Sequence, residues 1–275
     1  MTYLNSNQLK QYKDEGFVSP INIFSREKAK EIRNEIELIE KKLPNELEKA
    51  GRYNAHLISP MLDEVTHNQN ILNAVESLIG KNILVCGTTL FIKNPGEGGF
   101  VSYHQDAKYI GLEPYNWVTA WVAITDSNEN NGCMKMWSGS HKDNLKEHEQ
   151  NFNEKNLLTR GQTVNNVPDD QIVDLVLNAG QMSLHHPQTV HGSGINHSND
   201  RRIGFVIQSY IGTNVKQVIG KNGVQLARGN DKYNFHKKIG RPNSLMNTND
   251  LKIKKQENDN LQGIFYKDSQ KKGFY

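Results

Sequence analysis

Cysteine is scarce in this 275-residue chain: Cys86 and Cys133 are the only two. They pair only if the fold happens to juxtapose them, and both are expected to be reduced structural thiols. Long hydrophobic runs are missing as well. No stretch approaches the roughly 20 apolar residues that cross a bilayer. The opening Met1-Thr2-Tyr3-Leu4-Asn5-Ser6 lacks the basic and apolar regions of a secretory signal. A cytoplasmic protein without a membrane span is the expectation. Charge of one sign is not in excess either, since 33 Lys and Arg against 30 Asp and Glu leave a net +3. Lys-rich pieces such as Lys252-Ile253-Lys254-Lys255 carry no interleaved aromatics, so no nucleic-acid partner is expected. Internal repeats are absent, and nothing in the sequence sets an oligomeric state.

What is present changes character along the chain. Ser6–Glu15 reads as a short helix stopped by Gly16, and Phe17-Val18 as a brief extended piece. Ser25 is a good N-cap for a second helix, where Ala29, Ile32, Ile36 and Ile39 make an apolar stripe opposite a charged, solvated face. Residues 51–68 read as irregular, with Pro60 and Asn68 as punctuation. Ile71–Ile79 has helical spacing and closes at Gly80. From Asn82 the pattern is strand-like: 83–86, 88–93, 117–124, 133–137, 172–177, 181–185 and 202–210, separated by turns. Residues 142–168 form a polar stretch long enough to be a lid or binding loop. Beyond Val215 the chain turns polar, and 247–275 reads as a peripheral tail. Short strands after a helical start predict a mainly β fold with N-terminal helices, an antiparallel sandwich or jelly roll.

The chemistry gathers at Tyr103-His104-Gln105-Asp106 and Val190-His191-Gly192-Ser193-Gly194. On an extended strand, His104 and Asp106 share a face. A second imidazole from a returning strand completes two histidines and one carboxylate with the opposite side open, the facial set of non-heme Fe(II) oxygenases. Catalytic zinc also takes three ligands, so the set alone leaves the metal open. His185 and His186 compete with His191 for the distal place. His191 is preferred because Gly192 and Gly194 let the backbone pass close to a bound group. Taken alone, His-x-Asp is weak and also fits an ordinary surface strand. In Asp200-Arg201-Arg202-Ile203-Gly204 a basic residue is available to clamp an acidic co-substrate. Lys93, which shares a strand face with Thr89 and Phe91, either reaches an acidic ligand or ends its strand in solvent.

Together the Tyr103–Asp106 run, Val118–Ala123, Asn131-Gly132-Cys133-Met134, Ser138-Gly139-Ser140-His141 and His191–Gly194 through Arg201–Gly204 resemble the phytanoyl-CoA dioxygenase family. The resemblance covers roughly residues 55–240. It implies a single oxygenase domain over 1–275 with a double-stranded β-helix core (jelly roll, cupin-like) at about 82–215. A helical layer over about 1–80 precedes that core, and a polar extension over about 216–275 follows it. It also implies Fe(II), 2-oxoglutarate and O2, with His104, Asp106 and His191 as iron ligands. The arginine for 2-oxoglutarate falls eleven positions after the distal histidine, at Arg202, with Arg201 the neighbour to exclude. Gln105, Ser193, Trp121 and Thr89 match positions around the co-substrate. Lys93, Tyr109, Tyr115, Trp117, Gln208 and the 142–168 loop are candidates for substrate contact. Asp106 disfavours halogenation, in which a small residue replaces the carboxylate ligand. The implied reaction is hydroxylation of an unactivated C–H bond in a small-molecule metabolite. A jelly roll that binds a metal or small ligand without turnover is the alternative, weakened by retention of all three ligands and the arginine.

Overall fold

The computed structural model describes residues 4–267 and Ser269. Helix α1 (Ser6–Glu15) is capped one residue earlier than expected, by Asn5, whose side chain accepts from the Gln8 amide while Gln8 accepts from the Asn5 amide. It ends at Gly16, and the chain passes directly into β1 (Phe17–Asn22). Helix α2 (Arg26–Lys42) starts at Ser25 as expected and buries Ala29, Ile32, Ile36 and Ile39. Each buried isoleucine contributes about 1.5–3 kcal/mol. The irregular reading of 51–68 is corrected by α3 (Pro60–Thr66), capped by Ser59. Pro60 opens this helix, where its missing N–H has no intrahelical partner to lose. Helix α4 (Gln69–Ile79) stops at Gly80.

Strands β2 (Ile83–Val85), β3 (Thr88–Lys93) and β4 (Val101–His104) follow, then a helical turn, α5 (Ala107–Ile110). Next come β5 (Leu112–Glu113), β6 (Trp117–Ala123) and β7 (Met134–Trp137). The 142–168 segment holds the two-residue strands β8 (Glu149–Gln150) and β9 (Gln162–Thr163). Then come β10 (Ile172–Leu175), β11 (Gln181–His185), β12 (His191–Ser193) and β13 (Arg202–Gly212), followed by β14 (Lys216–Gln217) and β15 (Gln225–Arg228). The last element is α6 (Thr248–Phe265).

Eleven of these strands form two antiparallel sheets, the jelly roll expected, while β14 with β5 and β8 with β9 make separate two-stranded pairs. One sheet runs β1-β11-β6-β13-β2-β15 with β3 beside β13, and the other runs β10-β7-β12-β4. Strands β6 and β13 are buried on both faces, which explains their nearly continuous apolar sequence. Val118, Ala120, Val122, Ile203, Phe205 and Ile207 pack with α2 and α4 in one core. Trp121, Ala123 and Val206 face the other way and pack with Met134 and Met136 of the second sheet. Strand parity therefore separates a helix-covered face from the interior of the roll.

The peripheral tail expected at 247–275 is corrected by α6 over Thr248–Phe265, while 268 and 270–275 lie outside the described residues. The helix's Leu261, Ile264 and Phe265 join Tyr53, Leu84, Trp117 and Ile211 in a core cluster of their own. Its polar residues are engaged as well: Lys254 Nζ donates to the Glu46 carboxylate at 2.8 Å, and Asn54 Nδ2 donates to Asn258 Oδ1 at 3.0 Å. A charged, weakly amphipathic sequence hides this role because specific polar contacts complete its buried face. Cys86 and Cys133 are free and buried. Among the described residues no helix is long and apolar enough to cross a membrane.

Candidate metal centre and its cavity

Strand β12 lies between β4 and β7, and its register places His191 opposite His104. Their rings are 4.2 Å apart, centroid to centroid. That approach needs a residue without Cβ beside it, since a Cβ on Gly192 would meet the Val101 carbonyl oxygen at 2.9 Å. Gly194 has open space around it, so the close-approach argument holds for Gly192 alone.

Asp106 reaches the same point by a route that parity does not describe. The strand ends at His104, and Asp106 has helical backbone angles (φ −57°, ψ −40°) as it caps α5. A turn at the strand end, not a shared strand face, brings the carboxylate back beside the imidazole. The ligand atoms of His104, Asp106 and His191 all lie within 4.8 Å of one another. His104 Nδ1 pairs with Ser102 O and His191 Nδ1 with Thr189 O, both at 2.9 Å. Carbonyls accept only from N–H, so each Nδ1 carries a proton and each Nε2 is the nitrogen left for a metal. Burial lowers His191 well below the usual histidine range, and neighbouring imidazoles add to it. Burial opposes ionisation of Asp106, but His191, His104 and His185 outweigh it and hold the carboxyl well below the usual range. Two imidazoles and one carboxylate on one side of a cavity fit a divalent iron.

The wall opposite supplies the second feature. Arg202 is 1% exposed, and its Nε and Nη2 have no hydrogen-bond partner among the described residues. Burial pushes it down to about 10, so it remains a cation at neutral pH. Its guanidinium lies 5.2 Å over the Trp121 ring. A Cβ on Gly204 would meet that ring at 2.1 Å, which explains the glycine. Arg201 is excluded as the clamp because it already pairs two-pronged with Glu40, at 2.7 Å on both nitrogens. Ser193 lines the cavity, and its hydroxyl accepts from Lys93 Nζ at 2.7 Å. Lys93 is therefore buried beside the arginine, not at a solvated strand end.

Arg202, Val206 and Gln208 line the cavity together, as their parity predicts, and so does Tyr109. Gln105 also lines it but spends its amide on protein: Nε2 donates to Gln188 O and Oε1 accepts from the Lys146 N–H, both at 2.7 Å. It ties the 142–168 segment to the metal strand. Trp117 is corrected to a core residue, fully buried against α6 with Nε1 donating to Leu112 O. Tyr115 packs on the same cluster, and Thr89 is off the cavity wall. His186 sits beside His141 and Tyr12, away from the metal site, whereas His185 lines the cavity.

The 142–168 segment, expected at the substrate, contributes Leu158, Thr159 and Gln162 to the cavity wall, whereas sequence reasoning missed Tyr53 and Phe265, which line it as well. Tyr53 and Phe265 are 5.6 Å apart, and the Tyr53 hydroxyl pairs with Thr159 Oγ1 at 2.8 Å. Arg160 Nη1 donates to Phe265 O and Lys267 O, fastening the end of α6 to the same segment. Thr119 was missed too, although a threonine in the apolar run of β6 was the available signal. Its hydroxyl donates to Asp106 Oδ2 at 2.8 Å.

A profile described as phytanoyl-CoA dioxygenase matches residues 12–204. Among curated proteins, the chain is similar to a probable alpha-ketoglutarate-dependent hypophosphite dioxygenase of Stutzerimonas stutzeri. The two are 25% identical over 240 residues, 78% of this chain and 81% of that protein. It is also similar to the peroxisomal phytanoyl-CoA dioxygenase of Rattus norvegicus, 28% identical over 223 residues, 72% of this chain and 66% of that protein. Among solved structures, the apo form of the non-heme monooxygenase ThoJ matches with a TM-score of 0.83 and 29% identity, over 94% of this chain and 97% of that one.

Proposed function

The chain belongs to the phytanoyl-CoA dioxygenase family and is an Fe(II)- and 2-oxoglutarate-dependent oxygenase, and we propose that it hydroxylates an unactivated C–H bond of a compact metabolite, releasing succinate and CO2. His104, Asp106 and His191 hold the iron in this reading, and Arg202 takes the distal carboxylate of 2-oxoglutarate. The observation that carries it is the buried guanidinium of Arg202, whose Nε and Nη2 have no partner among the described residues, in the same cavity as the triad. A planar fork pairs bidentately with a carboxylate, and an uncompensated buried cation is costly until one arrives.

Bound together, iron, 2-oxoglutarate and O2 supply the oxidising power that removes a hydrogen from the substrate carbon and returns a hydroxyl. The protein's share is binding, orientation and exclusion of water. Ser102 O and Thr189 O fix the two imidazole rings, so both Nε2 atoms point inward before any ligand arrives. Trp121 supports the guanidinium, and Lys93 with Ser193 adds a second donor pair next to it. Tyr109, Gln208, Tyr53 and Phe265 then remain to face the substrate.

A compact substrate is favoured over a thioester with a long carrier arm. The far wall is closed by α6 through Phe265, and among the described residues Arg202 is the one cationic side chain lining the cavity. Neither the hypophosphite nor the phytanoyl-CoA in the relatives' names is carried over, since the wall that meets the substrate includes α6, beyond the matched residues 12–204. The decisive experiment is anaerobic titration of Fe(II)-loaded protein with 2-oxoglutarate, following the weak visible charge-transfer band of the chelate. A band in the wild type that is lost in His104→Ala supports the ligand and co-substrate assignment. Its absence from fully loaded wild-type protein would sink that assignment. Succinate release with a panel of small metabolites then tests the hydroxylation.

A further inference from the structure

We propose that His185 is a positioning residue: with Thr119 it clamps one oxygen of Asp106 and reserves the other for the metal. The inference rests on the reading of His104, Asp106 and His191 as the iron ligands.

The two carboxylate oxygens of Asp106 have different surroundings. Oδ1 faces the ligand imidazoles, 3.5 Å from His104 Nε2 and 3.9 Å from His191 Nε2. Oδ2 faces the sheet, 2.8 Å from Thr119 Oγ1 and 3.4 Å from His185 Nε2. Thr119 and His185 are direct partners in the β6–β11 ladder, so two adjacent strands deliver both groups to one oxygen.

Thr119 does not suffice for the task. Its single hydroxyl hydrogen meets two acceptors at the same distance, Asp106 Oδ2 and Gln208 O, each at 2.8 Å. One proton cannot serve both in full. His185 is 1% exposed, and neither ring nitrogen makes a hydrogen bond among the described residues; the acceptor nearest its Nε2 is Asp106 Oδ2, at 3.4 Å. The carboxylate is thus the acceptor within reach of an Nε2–H. A histidine with no such duty would leave two buried polar atoms uncompensated where a phenylalanine would pack without that cost. His185 is not a fourth ligand in this arrangement, because the group of mutually close donor atoms comprises His104, Asp106 and His191.

The clamp has a chemical purpose. A carboxylate free to turn can offer both oxygens to a cation and fill an additional coordination position. Held at Oδ2, it offers one, and the vacated position stays available to co-substrate. Hydrogen-bond partners behind a metal ligand typically affect metal affinity by about 10–100-fold.

The test uses the full-length protein with Co(II) and Fe(II) as probes, comparing His185→Phe, which lacks the donor, with His185→Gln, which keeps one. Expected for His185→Phe is metal binding weakened by about 10-fold or more, with an altered Co(II) visible spectrum reporting changed coordination. His185→Gln should recover most of the affinity and the wild-type spectrum. Should the phenylalanine variant fold poorly, His185→Leu makes the same comparison with a smaller side chain. Donor-free variants that bind Co(II) and Fe(II) as tightly as wild type, with the same spectrum, overturn the proposal. A glutamine variant as defective as the donor-free ones does so too, because packing would then carry the effect. His104→Ala separates the two readings: retained metal there fails the ligand assignment itself, whereas lost metal there beside intact binding in His185→Phe fails the clamp alone.

Discussion

Arg202 and Lys93 are direct partners across the β3–β13 ladder, two basic residues each 1% exposed and within the field of one another. Burial, and then the Arg202 charge, push the Lys93 ammonium down to about 6. Lys93 is therefore largely neutral at pH 7.5 in the free protein, and a carboxylate arriving beside it raises its pKa. Binding of 2-oxoglutarate should take up a proton at neutral pH. Affinity should be highest below about pH 6 and fall as pH rises through the gap between the free and bound values. Calorimetry in two buffers of different ionisation enthalpy measures the uptake, and Lys93→Met should abolish it. Identical heats in both buffers would remove Lys93 from the co-substrate site.

Adjacent arginines should behave oppositely. Removing Arg202 leaves a bound carboxylate without its partner, a loss of about 2–5 kcal/mol, or about 30-fold or more in affinity. Arg202→Ala should therefore raise the KM for 2-oxoglutarate steeply while iron content stays near wild type. Arg201→Ala breaks the ion pairs with Glu40 and Glu37 at the surface of α2, worth about 1 kcal/mol or less. The reverse pattern in steady-state kinetics would show that the register past His191 is wrong by one residue.

Asp106→Ala removes one of the three proposed ligands and also an acceptor of the Thr119 hydroxyl. Iron binding measured by anaerobic titration should collapse and turnover should disappear. Near-normal succinate formation in this variant would contradict the triad.

Phe265 closes the cavity from α6 and packs on Tyr53. Phe265→Ala should lower stability by about 3 kcal/mol and open the far wall. The expected consequence is a larger fraction of 2-oxoglutarate consumed without substrate oxidation, together with acceptance of bulkier substrates. Succinate and hydroxylated product quantified in the same reaction give the ratio. An unchanged ratio and an unchanged substrate range would place Phe265 in the core only.

The iron-ligand candidates and the arginine were legible through the resemblance of short motifs to a known family, because the spacing within such motifs survives in one dimension. Gly192 and Gly194 were singled out as close-approach positions, and Gly192 alone is one; the need for a glycine at 204, against the Trp121 ring, comes from packing. The alternation in β13 put Arg202, Gly204, Val206 and Gln208 on one face, and that face is the interior of the roll. Parity failed at Asp106 because the strand ends two residues earlier and a helical turn takes over.

The sequence by itself determined the change from a helical start to short strands, and its motifs, through their resemblance to a known family, supplied the candidates for the metal ligands and for the cation eleven residues beyond the last of them. Periodicity and local turn chemistry act between near neighbours, so a single chain reading contains the first, and short motifs of fixed spacing carry the second. Only the tertiary structure decided what surrounds that set. Tyr53 and Phe265 meet across more than two hundred residues of chain, and the polar contacts that bury α6 give its sequence no clean apolar stripe. Thr119 and His185 converge on one oxygen of Asp106 because β6 and β11 happen to pair in that register. Such contacts depend on which strands become neighbours, a property of packing that no local spacing encodes.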